Sequence, residues 1–472
     1  MSEETKELKE RLFNKKENGW LKVNEEKDKI IMNFSNEYIY FLNNGKTERE
    51  CAAFAKKMLD ENGFKCICEC ETLKPGDKVY YINRNKSVYA AVIGSKEVQE
   101  GINVVGAHID SPRLDLKPNP LYEDGGFAYF KTHYYGGIKK YQWTTIPLSL
   151  HGVIIKSNGE KIKINIGEDE NDPIFTITDL LPHLAQDQME KKLKNGIEGE
   201  DLRLLIGSIP ADSEEEKETV KLNILRILNK KYGITERDFV SSEIEIVPEF
   251  KARSLGFDEG LVAAYGQDDK VCAYTSLMAI VELEELQNTA ICILSDKEEI
   301  GSMGNTGMES HMFDYFMSEL LNKTGENRVN LLDKVFCYSK MLSSDVDAGF
   351  DPIYASVSDL KNAGYLGKGI SLNKYTGARG KSGASDANAE YVSWVRRLFE
   401  ENDIKFQVAE LGKVDIGGGG TIAYILANKG VDVIDCGVPV LSMHAPYEVT
   451  SKYDIFTAYK AYKAFWKKWE KS

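Results

Sequence analysis

Short apolar runs recur along this chain, among them Ile102-Asn103-Val104-Val105-Gly106-Ala107, Ala290-Ile291-Cys292-Ile293-Leu294, Val335-Phe336-Cys337-Tyr338 and Val431-Asp432-Val433-Ile434-Asp435. Each reads as a strand buried on both faces. Between them lie stretches with helical spacing, such as Val271, Tyr274, Leu277, Met278 and Val281. Strands that alternate with helices imply an α/β fold, a mostly parallel sheet flanked by helices. Such sheets carry their sites at the C-terminal ends of the strands.

The residues just beyond these runs are chemically consistent. His108 stands after the first, Glu298 and Glu299 after the second, Asp345 trails the third, and His444 lies beyond the fourth. Asp268 precedes a helical stretch, where a carboxylate gains from the helix N-terminus. The chain has 6 histidines, and two of them fall in this series. Two imidazoles and several carboxylates form the inventory of a two-metal hydrolytic site. Paired zinc ions need one shared ligand and terminal ligands on each side. Asp268 is assigned as the bridge, His108 and Asp345 complete one metal, and Glu299 and His444 complete the other. Two dications set against three carboxylates and one hydroxide leave about zero net charge. Asp110 follows His108 closely enough to orient its imidazole through the second nitrogen. Adjacent residues of an extended segment point opposite ways, so Glu298 and Glu299 divide the work. Glu298 is read as the general base, taking a proton from water held by the metals and passing it to the leaving amine.

The long interval between His108 and Asp268 has a different texture. Tyr134-Tyr135-Gly136-Gly137 is followed by Val153-Ile154-Ile155, a turn at Asn158-Gly159 and the alternation Ile162, Ile164, Ile166, which predicts a β-hairpin. Residues 188–236 are rich in charge and helix formers, and Ile244 and Ile246 mark another strand. A chain of 472 residues exceeds what one core usually organises. The reading is therefore a catalytic part formed by residues 1–119 and 251–472, interrupted by an inserted β-rich domain at 120–250. Near the start, Thr47 to Glu50 has capping-box spacing, the stripe Cys51, Phe54, Met58, Leu59 predicts a helix, and Gly63 stops it.

A net charge of −14 argues against nucleic acid or an anionic membrane as partner. The N-terminus is acidic, unlike a secretory signal, and no apolar run approaches the roughly 18 residues of a membrane span. The expected location is cytoplasmic. Most of the 8 cysteines, including Cys272, Cys292, Cys337 and Cys436, are read as small buried hydrophobes. Cys66, Cys68 and Cys70 alternate as if on one face of a strand, at a spacing too short for the usual zinc pair.

Other features have plainer readings. Glu298-Glu299 sits between a buried strand and Gly301, unlike the solvated acidic run Ser213-Glu214-Glu215-Glu216. The glycines Gly417 to Gly420, ahead of an apolar helical stretch, suit close approach of backbone to substrate. Gly380-Lys381-Ser382 is no phosphate loop, because Tyr375 occupies the position of its first glycine. His133, His151 and His311 show no companion groups and are read as structural.

The segments Gly106-Ala107-His108-Ile109-Asp110-Ser111-Pro112, Asp268-Asp269, Asp296-Lys297-Glu298-Glu299-Ile300-Gly301-Ser302, Ser344-Asp345, Gly417-Gly418-Gly419-Gly420-Thr421 and Ser442-Met443-His444 together resemble the M18 metalloaminopeptidases, the aminopeptidase I and aspartyl aminopeptidase group. The resemblance runs along essentially the whole chain. It implies removal of N-terminal residues from peptides by a centre of two zinc ions per subunit, with manganese or cobalt as alternatives. It also implies that the inserted domain serves dimerisation, and that subunits assemble into a tetrahedral dodecamer with enclosed sites. Pro182-His183-Leu184 is similar to a family position whose histidine reaches a neighbouring subunit's site. The acidic-substrate branch has histidines shortly after the metal-binding aspartate, where this chain has Ala348 and Asp351, and Asp-Asn where this chain has Asp268-Asp269. An alternative keeps the metals but makes the enzyme an N-acyl amidohydrolase. A non-enzymatic shell would lack a base or a ligand, and none is missing.

Overall fold

The computed structural model describes residues 2–14, 16–212, 217–326 and 330–468, so the acidic run at 213–216 lies outside it. A nine-stranded sheet forms its centre, in the spatial order Lys65–Cys66, Lys78–Asn83, Ser87–Val92, Ala290–Ser295, Asn103–His108, Lys340–Ser343, Asp432–Gly437, Ile370–Asn373 and Phe406–Val408. The strands Ala290–Ser295, Asn103–His108, Lys340–Ser343 and Asp432–Gly437 run parallel to one another, with antiparallel neighbours on both sides.

Alternation along these strands feeds two separate cores. Val105, Ala107, Cys292 and Leu294 face the helices Glu25–Asn44, Glu48–Glu61, Gln267–Val281 and Lys452–Lys467. Val104, Ile291 and Ile293 face Met312–Lys323 and Leu331–Cys337. Helices thus cover both faces, which is why the strands carry no polar side. The helix Glu48–Glu61 starts in the expected capping box between Thr47 and Glu50, and Gly63 follows with φ +81°.

A second, six-stranded sheet is antiparallel throughout, in the order Lys161–Ile166, Leu148–Ile155, Ser242–Pro248, Arg113–Asp124, Phe127–Tyr135 and Arg203–Gly207. It has its own core around Leu114, Phe130, Trp143, Leu150 and Ile246. The hairpin predicted around Asn158-Gly159 is present, pairing Leu150 with Ile166 through to Ile155 with Lys161. Pro118 and Pro120 have no N–H to give the ladder, and the register shifts between Leu116 and Leu121. A third sheet of five short strands joins Arg253–Leu255, Leu261–Ala264, Glu448–Ser451, Pro439–Leu441 and Asp347–Ala348.

Three expectations are corrected. Val335 to Tyr338 is not a strand: Leu331–Cys337 is a helix, and burial of Leu331, Val335 and Phe336 with exposure of Asp333 and Lys334 follows a helical period. The strand is Lys340–Ser343, whose charged first residue hid it. Cys337 is exposed, since it falls on the outer side of that helix. Cys66, Cys68 and Cys70 share no strand face either, because Lys65–Cys66 gives way at once to the 3-10 turn Ile67–Glu69.

Candidate metal centre

Parallel register makes distant residues converge. Ser295 pairs with His108, Ser343 with Gly106, and Ser343 again with Asp435, so the chain leaves each strand at the same edge of the sheet. His108 closes its strand, Glu298 and Glu299 occupy the 3-10 turn Glu298–Ile300, and Asp345 comes just after Ser343. The third sheet contributes the remainder: Asp268 follows Leu261–Ala264, and His444 follows Pro439–Leu441. All six side chains line one cavity of about 830 Å³. Glu298 and Glu299 both face it, since their segment is a tight turn and not the extended stretch that would have sent them opposite ways.

Asp268 sits in the middle. Its Oδ1 is 3.2 Å from His108 Nε2 and its Oδ2 is 3.2 Å from His444 Nε2. Asp345 Oδ1 lies 3.8 Å and Glu298 Oε2 3.9 Å from His108 Nε2, while Glu299 Oε2 is 3.6 Å from His444 Nε2. His108, Asp268 and Glu299 hold ligand atoms within 4.8 Å of one another, as do His108, Glu298 and Asp345. Glu298 is therefore within reach of a metal as well as of a substrate. The Asp268–Asp269 peptide bond is cis.

Hydrogen bonding on the far side of each ring fixes what the near side offers. His108 Nδ1 is 3.0 Å from the Asp110 carbonyl oxygen, and His444 Nδ1 is 2.7 Å from that of Gly137. A carbonyl only accepts, so both Nδ1 atoms carry the proton, and in the neutral ring Nε2 presents a lone pair to the carboxylates. Lone pairs facing carboxylate oxygens at such distances need a cation between them or a proton on the ring. Burial opposes the charged form of His444, but its hydrogen bond with Asp268 and the charge of Glu299 outweigh that and draw it up to about 10.

The carboxylates tell the same story. Burial, joined by the charges of Asp345 and Asp110 and partly relieved by His108, pushes Glu298 up to about 8. Burial and the charge of Asp268 raise Glu299 far above the carboxylate range, and Asp345 is raised as well, chiefly by burial. Burial works against the Asp268 carboxylate too, but hydrogen bonds with both histidines hold it below that range. Glu299 Oε1 is buried and accepts no hydrogen bond from any described residue. Crowded carboxylates, an unpartnered oxygen and two inward lone pairs fit divalent cations.

Three buried carboxylates brace the main chain of the candidate ligands. Glu448 accepts the N–H of Asp268 at 3.0 Å and that of His444 at 2.7 Å. Asp110 accepts those of Glu298 at 3.1 Å and Glu299 at 3.2 Å. Asp269 Oδ2 accepts the N–H of His108 at 3.2 Å. The Asp110 carboxylate lies 3.4 Å from His108 Nδ1, farther than its own carbonyl, so its closer service is to the two glutamates. Glu448 escaped the sequence reading; an acid four residues after a candidate ligand was the available signal.

Gly418, Gly419 and Gly420 line the cavity, and Gly417 is not among the residues that line it. His183 does not line it: the residue is exposed in the short turn Pro182–Leu184. His151 is not without companions. It is buried between Glu50 (2.9 Å) and Glu168 (3.1 Å), with Ser149 at 3.1 Å. His311, exposed, lies 3.2 Å from Asp314, and His133 from the Tyr134 carbonyl at 2.8 Å, so neither is free of partners.

An α/β sheet with two inward imidazoles and a carboxylate cluster at its C-terminal edge defines a metal-dependent hydrolase. The family described as aminopeptidase I zinc metalloprotease (M18) matches residues 41–466. A probable M18 family aminopeptidase 1 of Clostridium acetobutylicum is 52% identical over 449 residues, covering 94% of this chain and 97% of the relative. The crystal structure of an M18 family aminopeptidase from Thermotoga maritima superposes with a TM-score of 0.93 at 47% identity, covering 97% and 100% of the two chains. More distantly, a Saccharomyces cerevisiae structure described as the mApe1 dodecamer shares the fold at 22% identity, with a TM-score of 0.74 over 91% of this chain and 95% of that one. The chain belongs to the M18 aminopeptidase family and is a hydrolase acting on N-terminal residues of peptides.

Proposed function

We propose that the pocket holds two zinc ions bridged by Asp268, with His108 and Asp345 on one and Glu299 and His444 on the other. The carrying observation is that the two oxygens of Asp268 turn to different histidines at equal distance. When bound, such a metal pair polarises a scissile carbonyl and acidifies water. Glu298 takes the proton from the attacking water and delivers it to the leaving amine; its side chain faces the cavity beside His108. Asp110 holds the main chain of both glutamates, and the glycines at 418–420 leave room for the peptide. Manganese and cobalt suit the same donor set.

The antiparallel sheet serves as an inserted dimerisation domain at 120–250, its strand Arg113–Asp124 crossing the first boundary, between catalytic segments 1–119 and 251–472. Subunits assemble into a tetrahedral dodecamer, and His183 reaches a neighbour's site. Exposed Leu180, Leu181, Leu184, Met189 and Leu193 around it support a covered subunit face. No helix among the described residues is long and apolar enough to cross a membrane, and all 8 cysteines are free, as in a reducing cytoplasm.

A panel of aminoacyl anilides, each with a free and an acetylated α-amine, tests the reading in the presence of zinc, manganese or cobalt. Hydrolysis of the free-amine series alone is expected. Turnover that requires the acyl group would make the enzyme a deacylase.

A further inference from the structure

The antiparallel sheet reaches the centre at the turn Tyr135-Gly136-Gly137, where the strand Phe127–Tyr135 ends. There the Tyr135 hydroxyl donates to Asp110 Oδ2 at 2.8 Å, on the same carboxylate that holds the backbones of Glu298 and Glu299. Gly137 turns its carbonyl to His444 Nδ1 at 2.7 Å. Gly136, at φ +71°, packs so near that a Cβ there would lie 3.3 Å from Glu299 Oε2.

Tyr135 is itself firmly held. Its cross-strand partner is Arg113, whose guanidinium stands 3.9 Å from the ring centroid. Arg113 is buried and anchored by Asp115 at 2.8 Å, Glu245 at 3.2 Å and Glu48 at 3.4 Å. A stacked, ion-paired arginine fixes the phenol ring, and the phenol hydroxyl in turn fixes the plane of a fully buried carboxylate.

We propose that Tyr135 is a positioning residue for the metal centre, acting through Asp110 on the Glu298–Glu299 main chain, while the adjoining Gly137 carbonyl sets the tautomer of His444. The antiparallel sheet is then part of the apparatus that shapes the site. This inference rests on the di-metal reading of the pocket. Partners of this kind orient ligands without binding metal, and their loss lowers affinity or activity by about 10–100-fold.

Tyr135→Phe keeps the ring on Arg113 and removes the hydroxyl alone. In the full-length protein, zinc affinity is measured by chelator competition, kcat and KM on an aminoacyl anilide, and melting temperature on the metal-free form. The expected result is zinc affinity lowered by about 10–100-fold or a comparable fall in kcat at little-changed KM, with the melting temperature of the metal-free form nearly preserved. The visible spectrum of the cobalt-loaded variant should also shift, because it reports ligand geometry. A variant with wild-type zinc affinity, kcat and cobalt spectrum would overturn the proposal, as would one whose only defect is a lower melting temperature. Wild-type protein that binds no zinc would instead remove the di-metal reading beneath it, a failure visible without the variant.

Discussion

His444 Nε2 lies 3.2 Å from Asp268 Oδ2, and one carboxylate, that of Glu448, accepts the backbone N–H of both residues. The pair is thus fixed at the side chains and at the main chain. Segments far apart in sequence are tied by one buried acid through their main-chain N–H groups.

Asp268→Ala should release metal from both sites, because each proposed ion depends on one of its oxygens. Elemental analysis after gel filtration in zinc-containing buffer measures the metal per chain. A variant that still carries two ions would place the bridge elsewhere.

Glu298→Gln keeps the shape of the side chain and removes its capacity to accept a proton. Metal content should stay at the wild-type level while kcat falls by about two orders of magnitude or more, the usual scale of general-base loss. Glu298 also sits within 4.8 Å reach of His108 and Asp345, so joint loss of metal and activity would make it a ligand.

The candidate ligands were legible where they end or follow an apolar run, as His108, Glu298, Glu299 and His444 do, whereas Asp268 was read from the helix it precedes and Asp345 from a run that is helical. Supports other than Asp110 were not. Tyr135 and Gly137 act through a hydroxyl and a carbonyl across the fold, and contacts of that kind leave no spacing in the sequence, while Glu448 had only its place four residues after His444 to mark it. The strand Lys340–Ser343 was missed for a related reason: a four-residue strand opening on lysine is a weaker signal than the neighbouring apolar turn of helix.

His151 joins the antiparallel sheet to the helix Glu48–Glu61, with Glu50 on Nδ1 and Glu168 on Nε2, and Lys46 and Lys251 on the far side of Glu168. Burial disfavours the charged ring, but hydrogen bonds to Glu168 and Glu50 outweigh it and raise the group above its ordinary 6.5. A raised pKa stabilises the fold fully below 6.5, and that contribution is lost as pH climbs through the shifted value. Burial likewise opposes the charged forms of Glu50 and Glu168, yet hydrogen bonds from His151 hold both below 4.5, so their contribution disappears as pH falls through the lowered values. The melting temperature of wild type minus that of His151→Gln should therefore be greatest between 4.5 and 6.5 and shrink toward alkaline pH. A difference independent of pH would show that the ring is neutral in the fold.

Gly437 closes the strand Asp432–Gly437, and a Cβ there would fall 1.6 Å from the backbone carbonyl oxygen of Asp345. No flexible side chain can yield at this contact; one main chain has to move. Gly437→Ala should cost about 1–3 kcal/mol of stability, the scale of overpacking a tight interior. It should also act on chemistry, because the segment displaced carries a proposed ligand of one metal and not of the other. Titration of the metal-free variant with zinc should then resolve one weakened and one nearly unaltered binding step, with activity following the weaker. Equal weakening of both steps would mean that Asp345 does not belong to one ion alone, and the division of ligands around Asp268 would have to be redrawn.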